Sequence, residues 1–130
     1  MISARALALA LSSALGLATT AAPVAAVESG ESLYGRCAAC HSFEYNRTGP
    51  RHCGLFGRKA GTEPGYEYSK AMRGAGIVWN EETLDRFLAA PTKVVPGTTM
   101  TYAGVPDAEE RKTLIAYLKE KSTSGECAAR

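Results

Sequence analysis

Apolar residues recur at helical spacing in three stretches of the chain. The first stretch begins at Ser29 or Gly30 and runs to about residue 41. The second follows Asn80, a good N-cap, and the third follows residues 107–110, which have the order of a capping box. Each set of apolar positions falls on one helical face: Leu33, Tyr34, Cys37 and Cys40; Leu84, Phe87 and Leu88; Leu114, Ile115, Tyr117 and Leu118.

The segments between these helices predict loops. Residues 43–59, 62–68 and 92–105 hold many glycines and turn signals, residues 69–73 fit one short helix, and Pro91 ends the second long helix. Little in the chain indicates a strand. We therefore expect an all-α fold of several helices joined by long loops, which requires something central on which to pack.

The chain opens with a segment typical of an export signal. Arg5 precedes an almost wholly apolar run at 6–18, and the small residues 24–26 offer a cleavage site. A retained membrane anchor is the alternative, but the run is short for a span. We expect residues 1–26 to be a cleaved secretory signal peptide and residues 27–130 to be one domain that is exported to an oxidising compartment. The net charge of +2 does not indicate nucleic-acid binding.

The chemistry centres on Cys37-Ala38-Ala39-Cys40-His41. Two thiols three positions apart share a helical face, so each can add to one vinyl group of a haem while the imidazole binds iron. Three other uses stay open at this point: a thioredoxin-type redox pair, a disulfide between the two thiols, and a zinc site completed by Cys53, Cys127 or His52. For a second axial ligand of haem the residues offer Met72, Met100 and His52.

Several further motifs follow in a fixed order between about residues 30 and 122. They are Thr48-Gly49-Pro50, Gly54-Leu55-Phe56-Gly57-Arg58-Lys59, Pro64-Gly65-Tyr66-Glu67-Tyr68-Ser69, Trp79-Asn80-Glu81-Glu82-Thr83-Leu84, Pro96-Gly97-Thr98-Thr99-Met100 and Leu114-Ile115-Ala116-Tyr117-Leu118-Lys119. With the pentapeptide at 37–41, this set resembles the class I cytochromes c, of the mitochondrial and alphaproteobacterial periplasmic type.

The resemblance implies a set of site residues around one covalently bound haem c. Cys37 and Cys40 would form the thioethers, and His41 and Met100 would be the axial ligands. The carbonyl of Pro50 would accept a bond from the proximal imidazole. The haem propionates would bind Arg58, Tyr68 and Trp79. Gly30 and Tyr34 would meet Tyr117 and Leu118 where the terminal helices cross.

The resemblance also implies a soluble, monomeric, periplasmic one-electron carrier that is not an enzyme. Its partners would be membrane redox complexes (a quinol:cytochrome c oxidoreductase, a terminal oxidase or a photosynthetic reaction centre) or periplasmic dehydrogenases. The alternative is a haem peroxidase or a ligand sensor, which would need an open sixth site on the iron.

Some positions depart from the family pattern. Phe87 and Met72 stand where many relatives have tyrosine and asparagine, which predicts a drier distal side and a higher reduction potential. Cys53 and Cys127 are left over in an exported chain, and we expect them to form a disulfide. His52 is expected at the surface or as a bridging imidazole, and Met72 in the core. Few lysines besides Lys93 surround the expected docking face, which predicts weak electrostatic steering.

Overall fold

The fold is helical, as the sequence predicts. The computed structural model describes residues 21–22 and 25–128, so residues 1–20 and 23–24 of the expected signal peptide lie outside the described residues. This part of the chain contains five α-helices and a 3₁₀ turn, in the order α1 (Gly30–Tyr34), α2 (Lys70–Arg73), α3 (Glu81–Ala89), α4 (Pro91–Val94), α5 (Ala108–Thr123) and Gly125–Cys127. Within 21–22 and 25–128, extended pairing is limited to one isolated bridge between Lys59 and Val78. None of the described helices could cross a membrane.

The N-caps lie where the sequence predicts them. The Asn80 side chain accepts from the Thr83 amide at 2.8 Å, and the Thr83 hydroxyl accepts from the Asn80 amide at 2.9 Å, so α3 begins with a complete capping box. At α5 only half of the box forms. Asp107 accepts from the Glu110 amide at 2.9 Å, but the Glu110 carboxylate binds Arg36 instead of returning to the cap.

The first helix is shorter than the sequence predicts. It ends at Tyr34, and residues 35–40 continue as hydrogen-bonded turns. Gly35 follows the last helical residue, and glycine favours the helical conformation poorly. The bonds beyond it mix two spacings: Cys37 and Cys40 donate to carbonyls three residues back, while His41 donates to Cys37 at 2.9 Å, four residues back. The haem motif therefore lies on a tightly turned segment rather than on a regular helix.

Pro91 both ends one helix and begins another. The prediction that residues 92–105 are wholly loop was wrong at its start, because Pro91–Val94 forms α4. Proline suits the first helical position, where its missing N–H costs no bond. The short helix leads into a turn at Pro96 and Gly97, in which the Thr98 amide donates to the Val95 carbonyl at 3.1 Å and Gly97 has φ of 88°. This turn leads directly into the segment that contains Met100.

The terminal helices α1 and α5 cross in close contact. A Cβ at Gly30 would lie 2.5 Å from the Cβ of Tyr117 and 3.1 Å from the carbonyl oxygen of Thr113, so only glycine fits at the crossing. The rings of Tyr34 and Tyr117 lie 5.7 Å apart beside it. Leu33, Leu114 and Leu118 are buried beneath and form the centre of the core.

A disulfide joins Cys53, in the loop after the haem motif, to Cys127 beyond α5, with 5.0 Å between the Cα atoms. The same loop is held to the end of α5 by a second contact, since the Gly54 amide donates to the Ser122 carbonyl at 3.0 Å. The two attachments fix residues 53 and 54 to the base of the terminal-helix pair.

Candidate haem site

One cavity of about 450 Å³ collects the residues that the sequence picked out as a site. Its volume lies within the range of cofactor pockets, roughly 300–1,000 Å³. All eight predicted haem contacts line it: Cys37, Cys40, His41, Pro50, Arg58, Tyr68, Trp79 and Met100. Residues from the turned segment and from the loops therefore meet around one space, as the resemblance implies.

His41 is held in one orientation by its surroundings. Its Nδ1 lies 2.7 Å from the carbonyl oxygen of Pro50, and because that oxygen can only accept, Nδ1 carries the proton. A Cβ at Gly49 would lie 2.6 Å from Nδ1 and 2.7 Å from Nε2, so the glycine provides the room for the ring. Burial lowers the pKa of His41 and the Pro50 bond raises it in part. The neutral ring therefore has Nε2 as its free metal-binding nitrogen.

The two thiols of the motif are not bonded to each other. Cys37 is half-buried and Cys40 is exposed, and both line the cavity. Burial raises the pKa of the Cys37 thiol to about 11. Since Cys53 and Cys127 are joined elsewhere, neither is available as the fourth ligand that a zinc site would require.

Another part of the cavity lining is largely apolar. Met72 and Phe87 are buried in the core and also line the cavity, so the prediction that Met72 is a core residue is confirmed. The Phe87 ring lies 5.0 Å from that of Trp79. Met100 is half-buried against this cluster, and its amide donates to the Thr98 hydroxyl at 3.2 Å. Met100 and Met72 therefore each offer a thioether, a soft donor, in this largely apolar part of the lining.

A polar end of the cavity is formed by Arg58 and Tyr68. The Nε of Arg58 is the one buried side-chain nitrogen or oxygen among the described residues that lacks a hydrogen-bond partner. Burial raises the pKa of Tyr68, so its hydroxyl keeps its proton. Unpaired buried donors are costly, and a carboxylate in the cavity would satisfy them. The donors present therefore fit a haem, whose propionates are carboxylates.

His52 does not lie at the surface, so the first of the two placements expected for it was wrong. The residue is buried and lines the cavity, its ring stacked on that of His41 with 4.3 Å between the centroids. Its Nδ1 lies 3.2 Å from the Tyr34 hydroxyl, which gives the polar ring a partner in the interior. Burial, together with the charge that His41 would carry if it were protonated and the charge of Arg58, holds the pKa of His52 well below its usual range. His52 therefore packs as a neutral ring behind the expected proximal ligand.

Two residues at or next to the cavity were given no role in the sequence analysis. Gly49 was named only as part of the motif Thr48-Gly49-Pro50, although its missing Cβ makes room for the His41 ring. Glu63 is buried between Arg51 and Arg58 and pairs with both. A glutamate before Pro64-Gly65 has the composition of an exposed turn, so no local pattern marks it. For Gly49 the signal was present in its position directly before Pro50.

A helical fold in which a Cys-x-x-Cys-His segment and a methionine line one largely apolar cavity is typical of the proteins that attach haem c. Comparison with known proteins agrees with this class. The family model described as "Cytochrome c" matches residues 27–122. The chain belongs to the cytochrome c family, and it is of the class I type.

Individual relatives cover nearly the whole domain. Cytochrome c2 of Blastochloris viridis is 41% identical over 114 residues, which span 84% of this chain and 90% of the relative. Cytochrome c of Sesamum indicum is 45% identical over 103 residues, 76% of this chain and 93% of the relative. The solved structure of cytochrome cH from Methylobacterium extorquens superposes with a TM-score of 0.67, at 43% identity over 69% of this chain and 93% of that one. The protein is an electron-transport protein whose cofactor is one covalently attached haem c.

Proposed function

We propose that the protein is a soluble periplasmic one-electron carrier whose haem iron is bound by His41 and Met100. The observation that carries the proposal is the orientation of His41. Its Nδ1 donates a hydrogen bond to the Pro50 carbonyl at 2.7 Å, so Nε2 is the nitrogen that can bind iron. The two thiols and Met100 line the same cavity as His41. A site closed by two axial ligands exchanges electrons without binding a substrate, so we propose no enzymatic reaction.

Each residue has a defined task in this proposal. Cys37 and Cys40 anchor the cofactor by thioethers, and the Pro50 carbonyl fixes the plane and the basicity of the His41 ring. The bound haem iron supplies the chemistry, which is the gain and loss of one electron. Met100 would bind the iron as the second axial ligand, and its thioether would favour the reduced state.

The apolar wall has a function of its own. Met72, Trp79 and Phe87 are each at most 7% exposed, so the cavity side that they form excludes water. Ferric iron carries one more positive charge than ferrous iron, and a dry surrounding stabilises that charge poorly. We infer a reduction potential above that of relatives with polar groups at positions 72 and 87.

The partners we propose are membrane redox complexes or periplasmic dehydrogenases. The apolar leader at 1–26 supports the periplasmic location, and two of the relatives above are bacterial cytochromes of the c2 and cH types. At the cavity rim, Arg36 is already paired with Glu28 at 2.6 Å and with Glu110 at 2.9 Å. These pairs reduce the positive charge available for steering, in line with a mainly apolar docking face.

The two methionines of the cavity offer a matched test of the ligand. Met100→Leu and Met72→Leu both remove a thioether while keeping the side-chain volume, so packing changes little in either. In the oxidised haem-loaded protein, we expect Met100→Leu to lose the sulfur-to-iron charge-transfer band and to become high-spin. Met72→Leu should keep the sulfur-to-iron band and stay low-spin. A band that survives in Met100→Leu, or that disappears in Met72→Leu, would contradict the assignment of Met100.

A further inference from the structure

Glu63 is a buried carboxylate in a loop, and it has no part in the proposed binding of the haem iron. Its side chain is 3% exposed and lies between two guanidinium groups. One carboxylate oxygen accepts from Nε of Arg51, and the other accepts from Nη1 of Arg58 at 2.5 Å. Burial of a charged group is costly unless partners compensate it, and here both oxygens have charged partners.

Every side-chain nitrogen of Arg58 except one donates a hydrogen bond to a protein acceptor. Nη1 also donates to the Cys53 carbonyl at 3.3 Å, and Nη2 donates to the Arg51 carbonyl at 2.9 Å. Nε alone has no acceptor, although it is buried on a residue that lines the cavity. Glu63 thus fixes the guanidinium in a position that leaves one donor free.

The backbone of Glu63 also binds Tyr68, the second hydrogen-bond donor at this end of the cavity. Its amide donates to the hydroxyl oxygen of Tyr68 at 3.2 Å, so the hydroxyl accepts a bond from the protein and keeps its own proton to donate. One residue therefore orders both Arg58 and Tyr68. The cluster of Arg51, Glu63 and Arg58 holds two positive charges and one negative charge, and its net charge of +1 matches one carboxylate.

We propose that Glu63 is a positioning residue, which orients Arg58 and Tyr68 towards one haem carboxylate and whose negative charge lowers the reduction potential. The inference rests on the proposed haem site. Its electrostatic part follows from burial, since a charge out of water is little screened and stabilises the extra positive charge of ferric iron. An ion pair that merely held the loop together would affect stability and leave the potential unchanged.

The chain offers a matched pair of substitutions to separate these roles. Glu63→Gln keeps the shape and an acceptor oxygen while removing the charge, and Glu67→Gln makes the same change on an exposed residue of the same loop. In redox titrations of the haem-loaded proteins, we expect Glu63→Gln to raise the equilibrium constant for reduction by on the order of tenfold, which is about 59 mV for one electron. Glu67→Gln should shift it far less.

Substitution of Arg51 gives a prediction of opposite sign. Arg51→Gln removes a positive charge from the cluster, so its potential should fall, and the double variant Arg51→Gln/Glu63→Gln should return towards the wild-type value. This pattern does not require that Glu63→Gln be as stable as wild type. A potential that is unchanged or lowered in Glu63→Gln, or one that moves the same way in both single variants, would overturn the proposal. A wild-type protein without low-spin haem would instead overturn the proposed function and, with it, this inference.

Discussion

Removal of the Cys53–Cys127 bridge should destabilise the protein through its unfolded state. The bridge spans 74 positions, so it closes a loop of about 75 residues. The chain-entropy relation for such a loop gives about 15 cal/mol/K, or about 4.5 kcal/mol at 25 °C. Because the Gly54–Ser122 hydrogen bond already holds the same loop to α5, we expect the folded structure to persist without the bridge.

The assay is guanidinium unfolding of the haem-loaded protein, followed by circular dichroism. Cys53→Ala, Cys127→Ala and the double variant all break the same bond, so each should lose about 4.5 kcal/mol, and the double variant little more than either single one. The m-value should rise in all three, because an unbridged chain exposes more surface when it unfolds. The visible spectrum of the folded state should stay that of wild type.

Two results would refute this reasoning. Alkylation of the exported, unreduced protein that labels Cys53 and Cys127 would show that the bridge does not form. Losses that add up across the two single variants would show that each side chain contributes by its own packing, and that closure of the loop contributes little.

Three further outcomes follow from the site and the helix crossing. Phe87→Tyr should lower the reduction potential, because a hydroxyl makes the apolar wall more polar; a redox titration that shows no change or a rise would contradict the account. Gly30→Ala should destabilise the fold by about 1–3 kcal/mol in thermal unfolding, because its Cβ would lie 2.5 Å from that of Tyr117. Gly35→Ala is the control and should cost less, because its Cβ would contact only the backbone of Ser32 in its own turn. Association with a redox partner should slow only modestly as salt is added, and a steep dependence would contradict the weakly charged docking face.

Local signals in the sequence were sufficient for much of the fold. Asn80 and Asp107 were recognisable as caps because capping depends on residues three positions apart. The end of α1 at Tyr34 was not recognisable, since the turns beyond it keep nearly helical spacing between Tyr34, Cys37 and Cys40. The half-formed box at α5 depends on Arg36, a residue 74 positions away that draws the Glu110 carboxylate to itself.

The candidate site also contains some residues that the sequence predicts and others that it does not. The eight residues carried over from the family motifs all line the cavity, because each belongs to a motif whose order along the chain was visible. His52 and Glu63 are polar residues in segments with the composition of loops, and their burial results from tertiary packing. His52 is accommodated by the His41 ring and the Tyr34 hydroxyl, and Glu63 by two arginines. Such compensation involves residues that are distant in sequence, so no local pattern predicts it.

The most direct test of the central claim is the visible spectrum of the purified haem-loaded protein in both oxidation states. A carrier with His41 and Met100 on the iron should be low-spin when reduced and when oxidised, with the sulfur-to-iron band in the oxidised form. Addition of carbon monoxide to the reduced protein should leave the spectrum unchanged. A high-spin spectrum, or ready binding of carbon monoxide, would show an open sixth position and contradict the account in favour of an enzyme or a ligand sensor.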